Sequence, residues 1–315
     1  MAKSRNKTNQ STGIFLIKII IIIILVSLSI NNYKLINNEE KINKSIYSKL
    51  SNTEKEYEEA LTNNNNLKEE ITIFNDIDHK ITTIKESVFD KAKQLEDKIN
   101  QNKTSYKIAY LTFDDGPYHT TDEVLNILKK YKIKATFFTI GLDKDVCYDN
   151  KNYSCKETYK KIVDNGHTIA NHTYSHAIFR GLYTNADTFM SAVKTQEELI
   201  QNRTGIKTNI IRFPGGINTA RYLCKNDIDT ILKGLKDNHY GWVDWTASDG
   251  DGGYLPTTEL AWNNFTKTIN ENIEVVLFHD YCNATIGILP DAINYLEERN
   301  YILLPLFYES TKVNK

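Results

Sequence analysis

Short apolar segments and longer amphipathic segments alternate along most of this chain. Short, mostly apolar runs, which are typical of buried strands, occupy residues 108–113, 135–140, 168–170, 210–213, 241–245, 274–278 and 301–304. Apolar positions three and four apart predict helices over residues 121–131, 157–165, 187–203, 226–238, 258–271 and 288–299. Strand and helix alternate about seven times, which indicates an α/β fold with a parallel sheet. The simplest form is an irregular (β/α)7-type barrel over residues 105–308, followed by a tail over residues 309–315.

The N-terminus carries a different apolar pattern. Residues 14–30 form an almost unbroken apolar run, interrupted by Lys18, and roughly seventeen residues is at the short end for a bilayer span. Basic residues and no acidic residue precede the run, so residues 1–13 are expected to stay cytoplasmic. We therefore expect a single-pass anchor in the cell membrane, with the rest of the chain outside. A cleaved signal peptide is the competing interpretation, although no Ala-x-Ala site follows the run.

The segment between the anchor and the barrel, residues 31–104, contains neither proline nor glycine. Apolar residues recur at spacings of three and four from Leu67 to Ile99, as in an amphipathic helix or a coiled coil. One interpretation is a helical stalk that holds the barrel away from the membrane and forms a homodimer. The other is a long helix packed against the barrel, or a partly disordered spacer.

Composition adds few further constraints. The formal net charge is -1 at pH 7, and no basic stripe marks the barrel segment, so nucleic acid is not an expected partner. Cysteines in an exported chain are compatible with disulfides. Cys147 and Cys155 bracket a polar insertion and form one candidate pair. Cys224 and Cys282 form a second pair if they meet at the barrel mouth, and free buried thiols are the alternative.

Two adjacent carboxylates follow the first predicted strand. Asp114 and Asp115 lie in Thr-Phe-Asp-Asp-Gly-Pro, where the Gly-Pro pair ends the strand. Ionised carboxylates this close repel each other and lose hydration, so a cation, a hydrogen-bond network or a shared proton must compensate. A solvated turn is the alternative, because Asp is a common turn residue.

Two histidines follow the third predicted strand, in His172-Thr-Tyr-Ser-His176. Their spacing directs both imidazoles the same way along a single helical turn. Neutral imidazole is the commonest metal ligand in proteins, and two rings with one carboxylate make a metal site with open positions. Because active sites of parallel α/β domains form at the carboxyl ends of strands, we expect these histidines near the two aspartates. A pair of hydrogen-bonded histidines at a surface turn is the alternative.

Three later strands also end in reactive or aromatic residues. Arg212 precedes a glycine-bearing turn, Phe-Pro-Gly-Gly. His279 directly follows the apolar run at residues 274–278. Trp245 closes an aromatic segment that is followed by Asp249 and Asp251. Taken singly, each has a structural explanation: an ion pair, a core tryptophan or a turn histidine. Their shared position at strand ends favours one common site.

In order and residue type, these segments resemble the five motifs of the polysaccharide deacetylase family (carbohydrate esterase family four). The segments are Thr-Phe-Asp-Asp-Gly-Pro, His-Thr-Tyr-Ser-His, Arg-Phe-Pro-Gly-Gly, Asp-Trp with acids following, and Leu-Phe-His. The resemblance covers about residues 105–308. It implies a metal-dependent hydrolase that removes acetyl groups from a polysaccharide. The implied cofactor is a divalent metal, most commonly Zn²⁺, with Co²⁺ and other divalent ions as alternatives.

The resemblance also implies the central residues of the reaction. The metal ligands would be Asp115, His172 and His176. Asp114 would be the base that takes a proton from the attacking water, and His279 would be the acid that protonates the departing amine.

Further residues receive supporting roles by the same resemblance. Arg212 would orient the base and lower its pKa, and Asp251 would keep the acid protonated, with Asp249 as the second candidate. The backbone N–H of Gly215 would help to form an oxyanion site. The remaining substrate-binding residues implied are Pro214, Trp245 and Leu277.

Substrate choice is the least constrained inference. Gly215 stands where the family often has an aromatic residue, and Gly252 follows Asp251 where a tryptophan is common. An enzyme tethered outside the membrane faces the cell wall, so the expected substrate is N-acetylglucosamine in peptidoglycan. Alternatives are a β-1,6-linked N-acetylglucosamine polymer, muramic acid, chitin oligomers or acetylxylan.

Two other classes of function are weighed against deacetylation. One is a catalytically silent, wall-binding scaffold, against which the complete set of reactive residues argues. The other is an iron oxygenase with two histidines and one carboxylate. That chemistry gives no reason for a second acid beside the ligand, nor for His279.

Overall fold

The structure is a computed structural model that describes residues 89–141, 145–147, 149–253 and 255–315. The predicted membrane anchor and most of the predicted stalk lie outside the described residues. Among the helices that are described, none has both the length and the apolar content needed to cross a bilayer.

Parallel strands form one curved sheet at the centre of the fold. The strands are β1 (Lys107–Asp114), β2 (Thr136–Thr139), β3 (Thr168–Asn171), β4 (Ile210–Ile211), β5 (Gly241–Trp242), β6 (Ala247–Ser248), β7 (Ile273–His279) and β8 (Tyr301–Leu303). Their order is β5-β4-β3-β2-β1-β7-β6, and β8 pairs with the amino-terminal half of β1. In the described part of the chain, β5 and β6 form the two ends of this path. The predicted parallel barrel is therefore confirmed as a curled, open barrel.

One helix precedes the first described strand, and the others lie between strands along the chain and pack around the sheet. They are α1 (residues 89–100), α2 (Thr121–Tyr131), α3 (Thr158–Asp164), α4 (Ala186–Thr204), α5 (Gly216–Leu223), α6 (Ile228–Asp237), α7 (Thr258–Thr268) and α8 (Asn283–Glu298). The sequence pattern did not predict α5, whose Gly215-Gly216 start is typical of a turn. It also started α8 too late, because Pro290 lies inside this helix and proline usually marks a helix boundary.

Alternation along the strands places the reactive residues on one face. Outward side chains of β1 pack under the helices: Ala109, Leu111 and Phe113. Ile108 and Tyr110 belong instead to the inner cluster of the barrel, and period two continues this inner series to Thr112 and Asp114. β1 and β7 pair in register, with Asp114 opposite His279. The predicted base and acid therefore face the same end of the barrel interior.

α1 packs against the inner cluster, at the end opposite to Asp114. Its buried apolar residues are Ala92, Leu95 and Ile99. The buried carboxyl of Glu96 accepts hydrogen bonds at 2.6 Å from the hydroxyls of Tyr110 and Ser310. The structure thus differs from the predicted boundaries at residues 104 and 309. Of the two interpretations of this segment, residues 89–100 agree with a helix packed against the barrel, because this helix buries the apolar positions counted toward a coiled coil.

The C-terminal residues, predicted as a tail, are also packed. Ser310 and Val313 are buried, and Asn314 forms an antiparallel bridge with Trp242. The backbone hydrogen bonds of this bridge, 2.8 and 2.9 Å long, attach the segment to β5 at the edge of the sheet.

The cysteines separate into one bonded pair and two free thiols. Cys147 and Cys155 form a disulfide with Cα atoms 4.7 Å apart, which confirms the first candidate pair. Cys224 and Cys282 are free and buried. Of the two alternatives for these cysteines, free buried thiols are confirmed, because Cys224 packs in the cluster beneath α5 and α6, whereas Cys282 packs in the separate cluster beneath α8.

Candidate active site

The carboxyl ends of β1 and β3 bring three predicted metal ligands together. Oδ1 of Asp115 lies 3.2 Å from Nε2 of His176 and 3.4 Å from Nε2 of His172. The three donor atoms all lie within 4.8 Å of one another. We call these three residues the His–Asp cluster.

The cluster forms without the helical turn that the histidine spacing predicted. β3 ends at Asn171, whose side-chain Oδ1 accepts the N–H of Thr173 at 2.8 Å and starts a tight turn. Thr173 and His176 both have positive φ, 65° and 48°. This irregular loop brings the His172 and His176 ring centroids to 4.9 Å, so the rings converge by a different route from the one expected.

The donor atoms of the cluster fit a divalent cation. Nδ1 of His172 lies 2.8 Å from the carbonyl oxygen of Arg212, and a carbonyl only accepts, so Nδ1 carries the proton and Nε2 is a free lone pair. Burial lowers the pKa of His172 to about 3, which keeps the ring neutral. Oδ1 of Asp115 is buried and has no hydrogen-bond partner. Imidazole and carboxylate lone pairs that converge without a shared proton are a suitable ligand set for Zn²⁺ or a similar ion.

Asp114 is held beside the cluster by Arg212. The guanidinium NH1 donates to Oδ1 of Asp114 at 2.8 Å and to the hydroxyl of Thr112 at 2.7 Å. Arg212 is fully buried, and its charge lies 4.2 Å from the ring centroid of Phe138. The other carboxylate oxygen, Oδ2 of Asp114, lies 3.6 Å from Nε2 of His172. One oxygen is therefore fixed by the arginine while the other faces the cluster.

The pKa of Asp114 differs from the sequence-based expectation. Burial raises the pKa of this carboxyl, and the charge of Arg212 lowers it by a smaller amount, so the net direction is upward. The expected lowering was incomplete because the sequence shows the arginine but not the loss of solvent. A raised pKa makes Asp114 a better proton acceptor.

His279 and Asp251 form a second pair beside the cluster. Asp251 accepts the Nδ1–H of His279 at 2.7 Å and its backbone N–H at 2.6 Å. Burial alone lowers the pKa of His279, but the hydrogen bond and charge of Asp251, together with Asp115 and Asp114, raise it to about 9. Nε2 of His279 lies 3.7 Å from Oδ2 of Asp115. The geometry selects Asp251, and not Asp249, as the carboxylate that holds this histidine.

The predicted substrate-binding residues lie around this centre. Gly215 precedes α5 with φ 73°, and the carbonyl of Pro214 accepts the hydroxyl of Tyr183 at 2.8 Å. Trp245 is 37% exposed and its ring centroid lies 5.8 Å from the guanidinium carbon of Arg212. Leu277 is buried opposite Thr112 on the inner face of the sheet. Trp245 thus offers an aromatic surface at the edge of the site, whereas Leu277 lies below it.

Some residues around the site were not predicted from the sequence. Asp244 accepts the N–H of Ile217 at 3.2 Å, at the start of α5. The buried carboxyl of Asp280 accepts the hydroxyl of Thr121, and a side chain on Gly116 would meet Oδ2 of Asp280 at 2.6 Å. The position of Asp280 directly after His279 indicates from the sequence alone that Asp280 lies near the site. Asp244 lay within the aromatic segment, where its contact with a helix start could not be foreseen.

A comparison with known protein families matches the part of the chain that contains most of this site. Residues 101–227 match a family model described as polysaccharide deacetylase. This range includes the His–Asp cluster, Asp114 and Arg212, and it ends before Asp251 and His279.

Curated and solved relatives agree with that match. The chain is 27% identical over 200 residues to the putative polysaccharide deacetylase YheN of Bacillus subtilis, covering 62% of this chain and 65% of that protein. It is 29% identical over 222 residues to a peptidoglycan-N-acetylglucosamine deacetylase of Bacillus cereus, covering 65% of this chain and 74% of that protein. The catalytic domain of peptidoglycan N-acetylglucosamine deacetylase from Eubacterium rectale superposes with a TM-score of 0.60 at 29% identity, covering 66% of this chain and 92% of that one.

Proposed function

Because residues 101–227 match a family model described as polysaccharide deacetylase, we propose that this chain removes N-acetyl groups from a cell-wall glycan with a divalent metal in the His–Asp cluster. The observation that carries the proposal is the set of converging donor atoms, together with the unpartnered Oδ1 of Asp115. A proton acceptor, Asp114, and an imidazole with a raised pKa, His279, both lie within 3.7 Å of cluster atoms, and hydrolysis of an amide requires both kinds of group.

In the proposed reaction, Asp114 and His279 carry out the two proton transfers. A divalent cation held by the cluster would polarise the acetamide carbonyl and make a neighbouring water more acidic. Asp114 accepts a proton from the attacking water through Oδ2, while Arg212 holds Oδ1. As the carbon–nitrogen bond breaks, His279 donates its Nε2 proton to the departing amine. Water and amide thereby become acetate and a free amino sugar.

The surroundings of the cluster supply the substrate contacts in this proposal. The side chain of His176 is 27% exposed, so the cluster is open to substrate on that side. Trp245 offers a ring face on which a sugar can stack. The backbone N–H of Gly215 is proposed to help stabilise the oxyanion.

Peptidoglycan N-acetylglucosamine is the substrate we favour. It is the substrate named for the Bacillus cereus relative at 29% identity. The apolar run at residues 14–30 supports the same choice, because an anchored domain outside the membrane would face the wall. Zn²⁺ is the metal we favour, since the ligand set contains two imidazoles and one carboxylate.

Acetate release from defined glycans tests this proposal. Purified protein is incubated with peptidoglycan, chitin oligomers and acetylxylan, with and without a chelator. We expect acetate release to be fastest from peptidoglycan, to stop with the chelator and to return when Zn²⁺ is added. The matched control is Asp237→Asn, on the outer surface of α6, which should leave the rate unchanged.

The same experiment distinguishes the alternatives. Fastest release from chitin or acetylxylan would retain the deacetylase and replace the substrate. Binding to peptidoglycan without acetate release from any glycan, in the presence of Zn²⁺, would support the silent scaffold and contradict the proposal.

A further inference from the structure

Three buried side chains form a hydrogen-bonded series that starts at His279: Asp251, Thr285 and Asp249. The hydroxyl of Thr285, in the first turn of α8, lies 2.6 Å from Oδ2 of Asp249 and 2.8 Å from Oδ2 of Asp251. Asp249 and Thr285 are 0% exposed and Asp251 is 1% exposed. This arrangement places two carboxyl groups on one hydroxyl, away from solvent.

The number of protons in this arrangement is limited. A threonine hydroxyl has one proton, so Thr285 can donate to only one of the two carboxyl oxygens. If both acids were ionised, the second oxygen would face a lone pair of Thr285 at hydrogen-bond distance, without water to separate them. Burying two such charges together is also costly. Both short distances are satisfied when one of the two acids carries a proton and donates it to Thr285.

The surroundings place that proton on Asp249. Asp251 accepts two N–H groups of His279, at 2.6 and 2.7 Å, and such bonds favour the ionised form. The carboxyl of Asp249 accepts the backbone N–H of Asp251 at the longer distance of 3.2 Å. Burial and the negative charge of Asp251 both raise the pKa of Asp249.

We propose that Asp249 is a positioning residue: as a neutral acid it donates to Thr285, and Thr285 then donates to Asp251, which orients His279. This series of hydrogen bonds leaves one negative charge within the Asp249–Asp251 pair, on Asp251, which contacts the histidine. Along this series of hydrogen bonds, the titratable groups that face Asp249 are Asp251 and, beyond it, His279. The catalytic consequence rests on the proposed deacetylation, whereas the protonation state of Asp249 does not.

The first test uses kinetics with a conservative variant. Asp249→Asn keeps a neutral donor beside Thr285, so we expect kcat within about twofold of wild type and an unchanged alkaline limb of the pH–rate profile. Asp249→Ala removes the donor and frees the Thr285 hydroxyl. We expect kcat to fall about 10-fold with little change in KM, and the alkaline limb to move to lower pH as the hold on His279 loosens.

The second test needs no activity. A neutral Asp249 stabilises the fold fully below its unfolded pKa, and this stability is lost as pH rises toward its raised folded pKa. The stability of wild type relative to Asp249→Asn should therefore fall between pH 5 and pH 8, as read from the midpoints of urea denaturation. Asp237→Asn, at an exposed carboxylate of α6, is the matched control and should show no such trend.

The outcomes separate this inference from the proposed function. An Asp249→Asn variant that behaves like Asp249→Ala in the pH–rate profile, or a relative stability that does not fall with pH, would show that Asp249 is ionised and overturn the inference. Loss of relative stability with rising pH, in a protein that releases no acetate, would leave the proton assignment intact and contradict only the reaction.

Discussion

At the scale of single residues, the site depends on how burial changes groups that the sequence shows only by name. Asp114 and Asp115 are neighbours in the chain, yet one is held by Arg212 and the other faces two imidazoles. The motif residues and their grouping were predictable from the sequence. The direction of the pKa of Asp114 was not, because desolvation depends on the complete fold.

Asp251 provides the residue-scale prediction. Asp251→Asn removes the charge and changes the hydrogen bond that raise the pKa of His279 to about 9. In the proposed reaction His279 acts as the acid and must be protonated, so we expect activity below its pKa and loss of activity as pH rises through it. We expect the alkaline limb of the pH–rate profile to move down by about one unit or more. The measurement is the initial rate of acetate release between pH 6 and pH 10, with Asp164→Asn, an exposed carboxylate on α3, as the control. An unmoved limb would show that Asp251 does not control this proton.

At the scale of elements, the pattern of apolar positions located most strands and helices within a few residues. The exceptions have local causes. The short helix α5 starts at glycines, α8 contains Pro290, and β5 and β6 are each too short to show a period. The turn after β3 was also mistaken for helix, because a spacing of four residues does not reveal the positive φ at His176.

α1 provides the prediction at this scale, since the sequence pattern of residues 89–100 fits both a stalk and a helix packed against the barrel. Leu95 is 2% exposed within the inner cluster, so Leu95→Ala should lower the free energy of unfolding of the catalytic domain by about 2–4 kcal/mol. Gln94, the preceding residue, is exposed, and Gln94→Ala should change it by less than about 0.5 kcal/mol. Urea denaturation followed by tryptophan fluorescence measures both. Equal stability of the two variants would mean that α1 is not part of the domain core.

At the scale of the whole molecule, the fold brings distant parts of the chain to one end of an open barrel. The parallel arrangement was predictable because strands and helices alternate, and strands of such a sheet share one carboxyl edge. The opening between β5 and β6, and the packing of residues 310–314 on β5, were not predictable. The packing depends on a bridge between Asn314 and Trp242, which lie far apart in the chain, and the opening depends on the order of strands in the folded sheet.

Metal content is the most direct measurement of whether this convergence creates a metal site. Wild type, Asp115→Ala and Asp114→Asn are stripped with a chelator and titrated with Zn²⁺ by calorimetry, and acetate release is followed in parallel. Wild type and Asp114→Asn should each bind one equivalent, with turnover lost in Asp114→Asn. Asp115→Ala should lose both turnover and affinity, the latter by about 100-fold or more. One equivalent bound by Asp115→Ala with the affinity of wild type would contradict the ligand assignment and the proposed reaction.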